Sequence, residues 1–107
     1  MRRKESQFAS PAAIAAGRHL GELVRQARLA RTWTQQELAE RARVSLATLK
    51  RIEHGAVEAS LGGWLSVFER LGLLALLKNL QDPTSAALME TTQAKRARGG
   101  KDKDLDF

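Results

Sequence analysis

The chain has 107 residues, 43% of them hydrophobic, enough for one domain with a small core and a tail. It contains no cysteine, so a disulfide framework and a thiolate metal site are both excluded. Its formal net charge of +6, spread as +2, +3 and +1 over residues 1–16, 17–83 and 84–107, favours a polyanionic partner.

The basic start, MRRKESQFAS, is not followed by an apolar run of signal-peptide length, and residues 71–77 are too few to cross a bilayer. The expectation is a soluble, cytoplasmic chain with no membrane partner. Residues 1–11 read as a flexible basic arm. Helical pattern begins near Ala12 or Gly17. Leu20, Leu23, Val24, Ala27 and Leu29-Ala30 then predict a helix over about 17–31, with Arg18, Arg25, Arg28 and Arg31 interleaved.

Thr34 starts a second helix through a capping box. Its hydroxyl can accept from the Glu37 N–H while the Glu37 carboxylate reaches back to the Thr34 N–H. Trp33 and Leu38 stand at hydrophobic-staple spacing around that cap. Leu38, Ala39 and Ala42 form the short apolar face. Ser45 is a second N-cap, opening a third helix from Leu46 to about His54 with Leu49 and Ile52 inward and Gly55 as its left-handed stop. Ser60 caps a fourth helix with an apolar face of Leu61, Trp64, Leu65, Phe68 and Leu71, closed by Gly72. Leu73, Leu76, Leu77 and Leu80 continue as a short fifth helix until Asp82-Pro83 breaks it. Thr84 or Ser85 can cap a last helix running to about Ala97, before a charged tail. The organisation expected is an arm over 1–11, a domain over 12–83, and a C-terminal helix with a disordered tail over 84–107. No segment alternates as a strand would, so the fold class is all-α.

Two short capped helices joined by a three-residue turn, flanked by helices on both sides, follow the helix-turn-helix plan. The second helix of such a pair enters a DNA major groove about 12 Å wide while the first lies across the phosphates. The stretch T-Q-Q-E-L-A, then V-S-x-x-T-L-x-x-I-E-x-G, then a capped helix ending L-G, resembles the Cro/repressor (XRE) type of helix-turn-helix domain over about residues 17–72. The resemblance implies a lambda-repressor-like domain of five or six helices with flexible termini. It implies that Gln35 contacts phosphate and helps place the third helix, that Leu46, Ala47, Thr48 and Arg51 read bases, and that Lys50 lies nearer the backbone; Ser45, as the cap of that helix, joins the DNA-binding set at a phosphate. It implies an internal ion pair between Arg28 and Glu53, and gives Ala39 the role of the small residue that lets the second and third helices approach.

Arg43 departs from that family, which mostly has Gly at this turn because the residue adopts φ > 0. A non-Gly residue there costs roughly 1–2 kcal/mol. Two readings stand: Arg43 gives up stability for a phosphate contact, or the helix runs one residue longer and Arg43 is a solvated turn residue. The reading face lacks Gln and Asn, so only Arg51 can make a bidentate base contact, while Leu46, Ala47 and the Thr48 methyl could pack on thymine methyls. Modest base specificity and a steep salt dependence follow, each neutralised phosphate contributing about −0.9 to the log–log slope.

One small headpiece reads few base pairs, so double-stranded DNA with two half-sites and a homodimer are expected, with Leu73, Leu76, Leu77 and Leu80 as the dimer interface. The layout also resembles the antitoxins that accompany HipA-type kinase toxins: this domain, a leucine-rich helix, then a basic extension in KRARGGK. That second resemblance implies a repressor of its own operon that also binds a toxin protein. The alternatives are a module whose main task is to hold a protein partner, and a non-specific nucleic-acid binder. Trp33 and Trp64 sit at packing positions. His19 and His54 have no ligating neighbours in sequence, so neither a metal nor a cofactor is expected. No nucleophile–base grouping, paired carboxylates or phosphate loop appears, and an enzyme is not expected.

Overall fold

The structure, a computed structural model, describes residues 9–98. Among these it is all helix: α1 (Pro11–Ala30), α2 (Gln35–Ala42), α3 (Leu46–Glu53), α4 (Leu61–Arg70), α5 (Leu74–Lys78) and α6 (Pro83–Arg98). Contacts divide the chain into two compact units, Met1–Ala75 and Leu76–Phe107. The expected arm falls mostly on residues 1–8 and the expected tail on 99–107, outside the described residues.

In the first unit α3 is the centre, packed against α1, α2 and α4, with α2 also packed on α4. The core is Val24, Leu38, Ala39, Ala42, Leu49, Ile52, Val67, Phe68 and Leu71, drawn from all four helices and the end of the last. Trp64 lies against Phe68, ring centroids 6.3 Å apart and planes tilted by 54°. On α1 the buried positions are Gly17, Gly21, Val24 and Arg28, a single stripe of helical period. Two of these are glycines for a steric reason. A Cβ on Gly21 would come within 2.5 Å of the Ile52 carbonyl oxygen and 2.7 Å of the Gly55 nitrogen. The backbone of α1 therefore rests directly on the end of α3.

All four helices of this unit close in the same way. The N–H three residues on and the N–H five residues on return to carbonyls of the last turn. The pairs are Thr32 to Leu29 with Trp33 to Arg28, Arg43 to Glu40 with Val44 to Ala39, Gly55 to Ile52 with Ala56 to Arg51, and Gly72 to Glu69 with Leu73 to Phe68. Each turn needs one left-handed residue. Gly55 (φ 80°) and Gly72 (φ 75°) supply it without strain, whereas Thr32 (φ 58°) and Arg43 (φ 59°) carry a Cβ into that region.

Several predicted boundaries shift. α1 starts at Pro11 and ends at Ala30, earlier than the expected span of 17–31. Ser10, assigned to the arm by its lack of periodicity, accepts the Ala13 N–H at 3.1 Å, and Pro11 takes the first helical position, where no N–H is needed. The fifth helix is only Leu74–Lys78, so Leu73 and Leu80 lie outside it. The last helix is capped by Asp82, not by Thr84 or Ser85: its carboxylate accepts the Thr84 N–H at 3.0 Å and the Ser85 hydroxyl at 2.7 Å. Both bonds hold the Asp82 carboxyl below its ordinary range, the Ser85 hydroxyl contributing most.

Candidate nucleic-acid interface

The turn between α2 and α3 has three residues, Arg43, Val44 and Ser45, as the spacing predicts. The capping box at the start of α2 is complete. Thr34 Oγ1 accepts the Glu37 N–H at 3.0 Å, and Glu37 Oε1 accepts the Thr34 N–H at 2.7 Å. That backbone bond is the main reason the Glu37 carboxyl sits below its ordinary value. Arg43 adopts φ 59°, ψ 40°, so the left-handed turn conformation is kept without glycine and the helix does not run on.

An interior clamp fixes α3 relative to α1 and α2. The Arg28 guanidinium donates to both oxygens of Glu53, at 2.6 and 3.1 Å, and its third nitrogen donates to the Trp33 carbonyl at 2.8 Å. Both side chains of the pair are buried. The Gln35 amide donates to Glu53 Oε1 at 3.0 Å. Gln35, expected at a phosphate, thus has its amide nitrogen committed to the clamp, where it ties the start of α2 to the end of α3. Removing one member of a buried pair of this kind typically costs about 3–5 kcal/mol.

With Leu49, Ile52 and Glu53 inward, the residues of α3 and its end that remain exposed are Ala47, Lys50, Arg51 and His54. Their spacing of three, one and three places them in one stripe along the helix. Leu46 and Thr48 are half-buried. Thr48 does not present its methyl outward as expected: Cγ2 lies 3.5 Å from where a Cβ on Gly63 would stand, so it is turned toward α4. Its hydroxyl accepts from the Ser45 hydroxyl at 2.9 Å, and its N–H donates to Ser45 Oγ at 3.0 Å. Ser45 and Thr48 therefore build the N-terminus of α3, and the outward surface passes to Ala47, Lys50, Arg51 and His54. His54 was missed as a face residue; its place seven residues after Ala47 is the signal that finds it.

The cations of this unit differ in what holds them, and Arg18 of α1 is exposed with no ion pair among the described residues. Arg28 is paired inside. Arg31 donates to the Ala27 and Leu71 carbonyls, both at 2.7 Å, and Arg70 donates to the Arg41 carbonyl at 2.8 Å. Arg41 stacks on Trp33, 4.5 Å from the ring centroid, and Arg25 lies 3.6 Å from Glu22. Arg43, Lys50 and Arg51 are exposed and, among the described residues, form no ion pair with a carboxylate. These three lie on the turn and on the outward stripe of α3.

Of the leucines expected at a dimer interface, Leu73 and Leu77 are half-buried, while Leu76 and Leu80 are 55% and 74% exposed. In the second unit Leu88 and Met89 of α6 are also exposed. No helix among the described residues is long and apolar enough to cross a membrane.

A helix-turn-helix family model matches residues 24–63, from the middle of α1 to the first turn of α4. The match contains the capping box, the turn, all of α3 and the clamp. A domain of this type suggests a DNA-binding regulator of transcription. No curated protein and no solved structure matches the chain.

Proposed function

We propose that this chain is a sequence-specific DNA-binding repressor of transcription that works as a homodimer on two half-sites, in the cytoplasm at the nucleoid. The observation that carries the reading is the placement of cations: Arg28, Arg31, Arg41 and Arg70 are committed to carbonyls, a carboxylate or an aromatic ring, while Arg43, Lys50 and Arg51 stand exposed along the turn and α3 with no carboxylate partner among the described residues. In this reading the outward stripe of α3 lies in the major groove. Arg51 is the side chain suited to a guanine edge, and Ala47 to a thymine methyl. Lys50 and Arg43 meet phosphates, aided by the partial positive charge at the start of α3. The chain acts by binding, with no catalytic step and no cofactor.

The test is a competition binding measurement with the chain's own upstream DNA. Bound upstream DNA should resist random-sequence competitor by roughly 10³-fold or more. Equal competition by random DNA would make the chain a non-specific binder. Sedimentation at micromolar concentration should give a dimer, and a monomer at high micromolar concentration would remove the two-half-site geometry.

The exposed Leu76, Leu80, Leu88 and Met89 favour a second reading alongside the first, in which these apolar side chains also meet a protein. With the basic end of α6, they support an autoregulating antitoxin that holds a HipA-type kinase toxin. A stoichiometric complex with such a kinase that survives high salt is the expected result. Failure of the two purified proteins to associate would eliminate it.

A further inference from the structure

His54 ends the outward stripe of α3 and is held there by its own helix. Its Nδ1 lies 2.8 Å from the Lys50 carbonyl oxygen. A carbonyl only accepts, so Nδ1 carries the hydrogen and Nε2 is the atom left to gain or lose a proton. The side chain is exposed, and it stands one turn, about 6 Å along the axis, beyond Lys50. The groups around it are mostly cationic or neutral. Lys50 and Arg51 precede it on α3, and α1 brings Arg18, whose Cα abuts Gly55. Glu53 is turned inward onto Arg28. At this end of α3, α2 contributes the neutral Gln35, and α4 packs through Gly63. Glu58 lies in the loop that follows and is exposed.

We propose that His54 is a proton-gated DNA contact. The proposal rests on the reading that the outward face of α3 meets DNA. In the neutral form Nε2 offers a lone pair, which cannot bond a phosphate oxygen. In the protonated form it donates a charge-assisted hydrogen bond to that oxygen and adds one cation to the stripe. DNA binding then takes up a proton, so affinity rises as pH falls through the range in which imidazole changes charge.

The chain has only two histidines, His19 and His54, which makes the test clean. Binding of the full chain to a fixed duplex is measured by fluorescence anisotropy at about pH 8 and about pH 6, where imidazole is the side chain that changes charge. The unaltered chain should bind about three- to tenfold tighter at the lower pH, with a log–log salt slope steeper by about 0.9 per contact. His54→Gln should lose the pH dependence, and His54→Arg should bind tightly at both pH values. His19→Gln should behave as the unaltered chain. A pH dependence that survives in His54→Gln, or duplex binding by the unaltered chain that is flat between the two pH values, overturns the proposal and leaves the DNA-binding reading standing. No duplex binding at either pH, by the unaltered chain or by His54→Arg, overturns both.

Discussion

Thr32 and Arg43 each hold a left-handed turn at φ near 60° where Gly55 and Gly72 do the same work without a Cβ. The strain is roughly 1–2 kcal/mol per residue, part of which is offset by the extra freedom glycine gives the unfolded chain. Thr32→Gly and Arg43→Gly should therefore each stabilise the fold by about 1 kcal/mol, read as a rise of about 4–8 °C in thermal melting for a domain of this size. If Arg43→Gly gains that stability while DNA affinity and its salt slope stay the same, Arg43 has no phosphate role. The two residues differ in how far the sequence betrays them. Arg43 stands out because the family it resembles mostly has Gly there. Thr32 does not, since R-T-W carries no turn chemistry and a β-branched residue argues against φ > 0. The Thr48 methyl was misplaced for a related reason. Helical spacing near an N-terminus does not tell which side of the residue meets α4, and the small Gly63 that draws it inward lies on another helix.

At the level of helices, the contact between α1 and α3 is backbone against backbone, and glycine makes it possible. Gly21→Ala should destabilise the domain by about 3 kcal/mol, because the new methyl meets carbonyl oxygens and a nitrogen that cannot move aside. Gly62→Ala is the matched control. Nothing lies within 4 Å of its Cβ position, so the same change should stabilise α4 by about 0.5–1 kcal/mol through helix propensity. Urea unfolding of the two variants reads both signs. The capping box predicts a pH effect. Glu37 sits below its ordinary 4.5, mainly because it accepts the Thr34 N–H. A depressed carboxyl contributes stability above its unfolded value and loses it as pH falls through the folded one. The melting temperatures of the unaltered chain and Glu37→Gln should thus differ most near neutral pH and converge as pH falls below the ordinary carboxylate range. A gap that is constant with pH would mean the charge has no part in the cap. Caps at Thr34, Ser45 and Ser60 were legible because each polar residue precedes an apolar period. Ser10 and Asp82 were not, since Ala-rich α1 opens with little amphipathic pattern and Asp82-Pro83 reads equally well as a break.

Across the whole chain the basic excess is apportioned by structure. In the sequence every arginine is a candidate for a polyanion. In the fold Arg28, Arg31, Arg41 and Arg70 are committed to internal partners, while Arg43, Lys50 and Arg51 stay exposed around the outward stripe of α3 and Arg18 stays exposed on α1. The helix-turn-helix plan was visible from the caps and turn length alone, and the Arg28–Glu53 pair from the resemblance. The commitment of Gln35 to that pair was not visible, because it depends on how close the start of α2 comes to the end of α3. The fifth helix was overextended because a leucine run satisfies a helical period wherever it occurs, whereas the helix itself spans only Leu74–Lys78. What the molecule does turns on whether the exposed side of α3 reads bases. The most direct measurement is selection of bound duplexes from a random pool, with the unaltered chain and with Arg51→Ala in parallel. The account predicts an enriched motif for the unaltered chain and the loss of preference at one position in each half-site for Arg51→Ala, costing about 1–3 kcal/mol there. The same motif recovered with both proteins, or no motif with either, would contradict it.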